Sequence, residues 1–534
     1  MTTRSVRLVT FALFAALTLG TARADDAALA KEVEALRSAM TEQKAQLDAQ
    51  SKLLAAQQAQ LEALTQKLAQ SMPAVTAATP QPKSAPAGDA PKVAFTNSRL
   101  TVTAADGRSS LAVRGFAQMD GAMYREDSEG PLATDFRRGS VGATANRETN
   151  AARDFSEGYL LRRARVGVDG MVGQNFTYRL LFDFGGSGTE GPARVNDAWI
   201  GYTGLAPFTF QFGAFSPPAN MDDSTSAEDI LFLERSSAGE ISRALAAADA
   251  RFGLGIKANG QRWMSSLTLT SRTIGDAEVF DSQLAAVGRA GFLVATGEDY
   301  NVHLGASGTY VFAPPDQGSA TTPRHAIRFR DRPEIRVDGT RLIDTGAIDA
   351  ERVSVFAGEF GANWKNLYLQ GEHFWYDVTR RAPTALDDPS FTGYYLQGSW
   401  ILTGESRRYN AATGSYQNPR PKTPFVKEGG SGAWELAARY SRMDLNFEEG
   451  LEGTAAAPGS IRGGDQKIIT LGVNWYPNAN FRVMMNYIMI DVDRLNPAGP
   501  ANLTPFGPVP STPPNGAEIG QDLDVLAIRT QYSF

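Results

Sequence analysis

The chain has 534 residues, no cysteine, a net charge of −6 and 10% aromatic residues. The lack of thiols excludes disulfide frameworks, thiolate catalysis and cysteine metal sites, and the mild negative charge argues against nucleic acid as a partner. The length would suit about three or four soluble domains, but barrels are an exception to that count.

Residues 1–24 read as a secretory signal peptide. Arg4 and Arg7 form the charged start, Leu8 to Leu19 the apolar stretch, and Ala22-Arg23-Ala24 the small-residue cleavage site, so the mature chain is expected to begin near Asp25. No later segment has the roughly 18 consecutive apolar residues that a spanning helix needs. A membrane location would therefore require a closed barrel, since lipid leaves no unpaired backbone group satisfied.

Residues 25–70 predict a helical coiled coil. Val33, Met40, Leu47, Leu54, Leu61 and Leu68 recur every seven residues, with Leu29, Leu36 and Leu64 at the companion positions and Gln43, Gln50 and Gln57 between them. This is an a/d seam whose glutamine layers lower stability but specify register, and it favours self-association as a trimer. The alternative is a lone amphipathic helix or a disordered arm. Residues 71–92, with Pro80, Pro82, Pro86 and Pro91, read as an extended Pro/Ala linker.

Across 93–534 the hydrophobic period becomes 2. Phe176, Tyr178, Leu180, Phe182 and Phe184 form one apolar row, and Phe252, Leu254 and Ile256 another. Val302, Leu304 and Ala306 alternate with Asn301, His303 and Gly305; Leu471, Val473 and Trp475 alternate with Thr470, Gly472 and Asn474. Charged residues on the second row of several strands suit a water-filled lumen and not a soluble core. Connections are uneven: Asn478-Ala479-Asn480 is short, whereas Asn410 to Lys427 and Leu495 to Gly520 are long and polar. Short turns at one end and long loops at the other are expected of an outer-membrane barrel.

No enzyme arrangement holds. His303, His325 and His373 are far apart, and Gly253-x-Gly255-x-x-Ala258 lies within a strand pattern instead of opening a helix. Asp222-Asp223 and Asp387-Asp388 read as solvated loop carboxylates. The unusual cluster is basic: Arg324, Arg328, Arg330, Arg332, Arg336 and Arg341. Arg328, Arg330, Arg332 and Arg336 share one parity, so extended backbone would aim four guanidiniums the same way, about 6–7 Å apart per step. Such a file offers a small anion successive weak sites, as a conduction path requires. The alternative is a solvated face paired with Asp331, Glu334 and Asp338.

The chain ends on a strand. Leu526, Ile528, Thr530 and Tyr532 form an apolar row against Val525, Ala527, Arg529, Gln531 and Ser533. The terminal Phe534 is similar to the C-terminal aromatic signature that outer-membrane proteins present to their barrel assembly machinery.

Residues 95–534 resemble the phosphate-selective porin O and P family. The resemblance rests on Gly158-Tyr-Leu-Leu-Arg-Arg-Ala-Arg165, Arg179 to Asp183, Asn196-Asp-Ala-Trp-Ile-Gly-Tyr202 and Gly213-Ala-Phe215 leading to Phe232-Leu-Glu-Arg235. Arg332 to Gly339, Leu396 to Glu405 and Trp434 to Tyr440 complete it. It implies an all-β fold, a 16-stranded antiparallel transmembrane β-barrel, here preceded by the N-terminal α-helical coiled coil. It also implies a homotrimer in outer-membrane lipid that passes small anions of the phosphate and polyphosphate class passively; no cofactor or resident metal is expected.

The resemblance further places Arg328, Arg330, Arg332 and Arg336 on an arginine ladder, with Arg352 as a further rung. It puts Arg162, Arg163 and Asp197 at the constriction and matches Thr225-Ser226 and Arg235 to an inward-folded third loop. Where phosphate-binding members carry lysines flanking the Thr-Ser pair, this chain has Asp223 and Glu228. Those two anions would reverse the local charge and point toward a Mg²⁺-bridged or mixed-selectivity constriction in place of a tight phosphate site. The competing expectation is a structural tether, with the barrel only anchoring an arm in the periplasm.

Overall fold

The computed structural model describes residues 90–96, 99–127, 155–186, 194–248, 250–275, 279–381, 385–426, 429–498 and 515–534. The expected signal peptide, the coiled coil of 25–70 and the linker up to 89 lie outside the described residues.

Two short strands, β1 (Lys92–Thr96) and β2 (Arg99–Thr103), form a hairpin. Sixteen longer strands follow. The first eight are β3 (Ser110–Asp127), β4 (Gly158–Val172), β5 (Phe176–Asp183), β6 (Arg194–Leu205), β7 (Phe208–Phe215), β8 (Arg251–Asn259), β9 (Trp263–Thr273) and β10 (Leu284–Thr296). The rest are β11 (Tyr300–Ala313), β12 (Ile348–Trp364), β13 (Leu367–Arg380), β14 (Ser390–Ile401), β15 (Ala433–Phe447), β16 (Ile461–Tyr476), β17 (Phe481–Asp493) and β18 (Asp522–Ser533). Each pairs antiparallel with its sequence neighbours, and β18 pairs with β3 from Asp522↔Asp127 to Ser533↔Phe116. The sheet is a closed 16-stranded barrel without a free edge.

Alternation decides which side chains face out. On β18, Leu526 and Ile528 are nearly half exposed while Arg529 is fully buried. The exposed rows are apolar, and Trp263, Tyr300, Trp364, Trp400, Trp434 and Phe481 ring the barrel beside the short turns. This is the apolar band and aromatic girdle of a membrane-spanning barrel.

The short turns 173–175, 206–207, 260–262, 297–299, 365–366 and 477–480 share one end. The segment 402–432, which contains the Asn410–Lys427 stretch expected among the long loops, emerges from this same end and corrects that expectation. Tyrosine and arginine side chains draw it into the barrel, where Tyr416 packs on Tyr368 with ring centroids 4.9 Å apart and Arg407 pairs with Glu435 at 2.8 Å. Two segments enter from the other end. The helical loop 216–250 carries α1 (Met221–Ser224), capped by the Asn220 side chain, and α2 (Ser237–Ala246), capped by the Ser236 hydroxyl. The second is the arginine-rich loop 314–347.

At the seam, Gly115 and Phe534 exchange both backbone hydrogen bonds (3.1 and 2.9 Å). A Cβ on Gly115 would fall inside the ring of Phe534, so only glycine leaves the terminal ring its slot. Below it, β2 takes over pairing with β3 at Thr101↔Ala112 to Thr103↔Ser110. Gly115→Val should therefore block closure. The expected result is loss of the heat-modifiable, fast-migrating band on a semi-native gel; an unchanged band would refute the role of this slot.

Candidate functional site

The helical loop is fastened to the wall opposite its own strands. Its segment 230–234 runs without regular hydrogen-bonded structure, so its backbone groups need partners. Arg482 on β17 donates to the Ile230 and Leu231 carbonyls (2.7 and 3.1 Å), and Arg529 on β18 donates to that of Leu233. Arg439 on β15 donates to the Glu234 carbonyl at 2.9 Å. Asn474 donates to Leu231 (3.1 Å), while the Asn486 side-chain oxygen accepts the Leu233 amide (2.9 Å). These residues were not singled out from the sequence. Their signal was present as charged or amide side chains on the inward parity of strands otherwise apolar on alternate positions.

Glu234 is the electrostatic centre. Arg162 binds it through two donors (2.7 and 3.2 Å), Arg529 approaches at 2.9 Å, Arg336 at 3.4 Å and Arg163 at 3.6 Å. Burial works against its charge, but this shell of guanidiniums holds the carboxyl well below the usual range. Arg529 also grips Asp120 through two 2.6 Å bonds. Arg162 and Arg163 are adjacent, so strict alternation would send them to opposite faces. A bulge opposite Gln118 and Met119 inserts Arg162 as an extra residue and turns both inward. Both are buried, which corrects the expectation that they line the constriction: their charge is spent on anchoring the loop.

The arginine-rich loop departs from a four-rung file. Arg328 and Arg330 do face the same exposed side. Beyond Asp331 the extended backbone ends, because Pro333 cannot donate and Glu334 adopts a positive φ of 56°. Arg332 is buried, with its Nε donating to the Gly339 carbonyl at 3.2 Å. Arg336 is held by Glu240 (2.8 Å), Glu234 and Asp331 (3.9 Å). Glu334 anchors the loop by accepting the Ser237 amide (3.0 Å) and the Ser441 hydroxyl (2.6 Å) and by pairing with Arg439. Arg352 lies on the outward parity of β12, shared with exposed Phe356, and pairs with Glu351 at 3.7 Å. It is not a rung in the lumen.

The third-loop residues divide in two. Asp223 turns into the loop, 2.6 Å from Arg243, and Arg235 closes α1 through the carbonyls of Asp222 (2.9 Å) and Thr225 (2.7 Å). Asp222 is buried against the Ser236 amide at 3.1 Å, so this acidic pair is packed, not solvated as expected. Ser226 is exposed and the Glu228 carboxylate is partly exposed, 3.7 Å from Arg114.

Exposure of the inward rows shows where water can pass. On β10–β18 they lie under the three insertions: Arg289, His303, Glu359, Gln370, Glu435, Asn474 and Arg482 are all buried. On the short-turn halves of β3–β8, Arg114, Arg165, Asp169, Arg179, Trp199 and Lys257 keep access. Arg165 pairs with Asp183 (2.8 Å), and Arg179 lies 3.9 Å from Asp197 and 5.4 Å from the Trp199 ring centre. Arg99, on the β1–β2 hairpin, pairs with Asp169. Lys257 makes no ion pair among the described residues. The cations of this wall are scattered over separate strands, so no local pattern marks them in the sequence; Asp197, the carboxylate facing Arg179, is the expected site residue that lies beside them. Among the described residues no three histidines or carboxylates gather as metal ligands.

Two tests follow. Arg529→Met leaves Asp120 and Glu234 buried with one cation fewer, and should cost about 3–5 kcal/mol, as is typical of breaking a buried pair, read as a lower urea midpoint of refolded protein. Asp331, in the arginine-rich loop, is pushed up to about 7 by burial and by Glu240, against the pull of Arg336. Its folded state keeps the proton that the unfolded chain releases near the ordinary value of 3.8. Stability should therefore fall as pH rises through that window. Asp331→Asn should flatten this dependence; an identical pH profile of thermal unfolding would contradict it.

A family model described as phosphate-selective porin O and P matches residues 137–534. Porin O of Pseudomonas aeruginosa is 24% identical over 382 residues, covering 68% of this chain and 83% of that protein. An uncharacterized protein of Caulobacter vibrioides is 25% identical over 485 residues, covering 89% of this chain and 88% of its own. Among solved structures, an anion-selective porin from Comamonas acidovorans aligns at 10% identity and a TM-score of 0.42, covering 80% of this chain and 100% of that one. The matched segment contains every barrel strand from β4 to β18, and the chain belongs to the phosphate-selective porin O and P family of outer-membrane porins.

Proposed function

We propose that this porin passes small anions by diffusion, and that the cationic wall of β3–β8 sets the preference. The carrying observation is that Arg114, Arg165, Arg179 and Lys257 are inward cations of one wall that keep solvent access, while the helical loop is fixed to the far wall. Partly hydrated guanidiniums attract an anion without trapping it, which suits conduction. Arg330, exposed on the arginine-rich loop at the long-loop mouth, adds a steering charge there, whereas Arg328 beside it is paired with Asp344 (2.6 Å). A four-step ladder through Arg332 and Arg336 is not part of this reading.

A second reading, weak selectivity without phosphate preference, is favoured by Glu228 and Asp197 beside the same wall. Carboxylates there repel a multiply charged anion more than chloride. Assembly as a homotrimer through the heptads of 25–70 is part of the proposal, as is delivery to the assembly machinery through Phe534.

Reversal potentials in a KCl gradient across planar bilayers test the main reading. Anion preference is expected, and Lys257→Ala with Arg179→Ala should reduce the anion-to-cation ratio by about ten-fold per charge, because one unit charge about 6 Å away in water favours an anion and disfavours a cation by about three-fold each. Cation preference in the unmodified protein would end the anion reading. Added phosphate should block chloride current if the phosphate class is favoured; no block at millimolar levels supports weak selectivity. A variant lacking residues 25–70 should run as a monomer, and persistence of the trimer would remove the arm from assembly.

A further inference from the structure

The tip of the helical loop is held from both ends of the barrel. The insertion 402–432 enters from the short-turn end, yet its contacts are made to a loop that enters from the other. Asn418 donates its side-chain Nδ2 to the Glu228 carbonyl (2.6 Å), and its backbone amide to the Asp229 carboxylate (2.8 Å). Arg407 donates to the Asp229 carbonyl (3.0 Å), and the Ser415 hydroxyl to the Ser224 carbonyl (3.2 Å). From the barrel wall, Gln531 donates to the same Glu228 carbonyl (3.0 Å) and Gln118 to that of Ala227 (3.1 Å). Asn418 is itself braced: its carbonyl accepts from Arg408 (3.1 Å).

These bonds take hold of the backbone of Glu228 and leave its carboxylate toward Arg114 at 3.7 Å. With the carbonyl taken by two amide donors, the peptide plane is defined from both sides, and so is the direction in which the side chain leaves it. A donor bonded to a backbone oxygen does not alter the charge in the passage. It alters where that charge stands.

We propose that Asn418 is a positioning residue for selectivity: through the Glu228 carbonyl it holds the Glu228 carboxylate against the Arg114 side of the passage, where it partly cancels the cationic wall. The selectivity of the channel is then set jointly by a loop from each end of the barrel. This rests on the reading of β3–β8 as the conducting wall.

A double-mutant cycle on the full-length protein in planar bilayers tests it. Glu228→Gln removes the carboxylate and should raise the anion-to-cation permeability ratio by about ten-fold, on the same single-charge basis. Asn418→Ala keeps the carboxylate but frees its backbone, and should change the ratio in the unmodified background. In the Glu228→Gln background, Asn418→Ala should change it no further, because its effect passes through that charge. Equal shifts in both backgrounds would overturn the proposal and make Asn418 a purely structural brace. No shift in either background would also overturn it. Gln531→Ala, which removes the other donor to the same carbonyl, should follow the pattern of Asn418→Ala and serves as the second variant if the first folds poorly. The cycle reads a change in ratio and not its sign, so an absence of anion preference in the unmodified protein would defeat the functional reading while leaving this test intact.

Discussion

The geometry of the lumen depends on one arrangement: the backbone carbonyls of Ile230, Leu231, Leu233 and Glu234, in an irregular loop, accept hydrogen bonds from arginines that stand on a distant wall. Between Ile230 and Glu234 the chain makes no helix and no sheet, and an unpaired buried carbonyl is costly. Arg439, Arg482 and Arg529, on β15, β17 and β18, meet that need. A guanidinium suits the task, since its planar fork serves a carbonyl and a carboxylate at once. Arg529 does this with Leu233, Asp120 and Glu234.

Position follows from that clamp. The loop leaves the barrel at β7 and returns at β8, yet it is bonded across the lumen, so it divides the interior into a filled side and a wet side. The filled side holds most of the charge in closed pairs such as Arg289 with Glu359 and Arg407 with Glu435. Buried pairs of this kind add little net stability, but leaving either partner alone is expensive. They therefore specify one packing of three insertions that enter from opposite ends. On the wet side the same residue types remain partly hydrated, with longer contacts such as Arg179 to Asp197 at 3.9 Å.

The charged residues show why sequence reading found the fold more readily than the passage. Rows such as Phe252, Leu254 and Ile256 announce their face by period alone, and the lipid-facing assignment needs only that. The arginines of 324–341 drew notice because they are close in sequence, but Pro333 and the left-handed Glu334 break the extended run, so only Arg328 and Arg330 share an exposed side. Arg162 and Arg163 could not be placed by parity, since a bulge turns both inward. Arg114, Arg165, Arg179 and Lys257 sit on four strands separated by turns and loops, and only strand register brings them to one wall. The segment 402–432 read as one more long loop, since nothing local marks which end of the barrel a connection occupies or whether it folds inward.

What the sequence alone determined was the barrel: alternation and turn chemistry are local signals, and a membrane leaves a closed sheet as the way to satisfy strand edges. The tertiary structure alone decided which charges meet water. That outcome depends on strand shear, one bulge and the cross-lumen anchoring of Glu234, none of which is encoded by neighbours in the chain. A charge is a pore residue or a structural one according to what lies within about 4 Å of it, and in a barrel those neighbours come from hundreds of residues away.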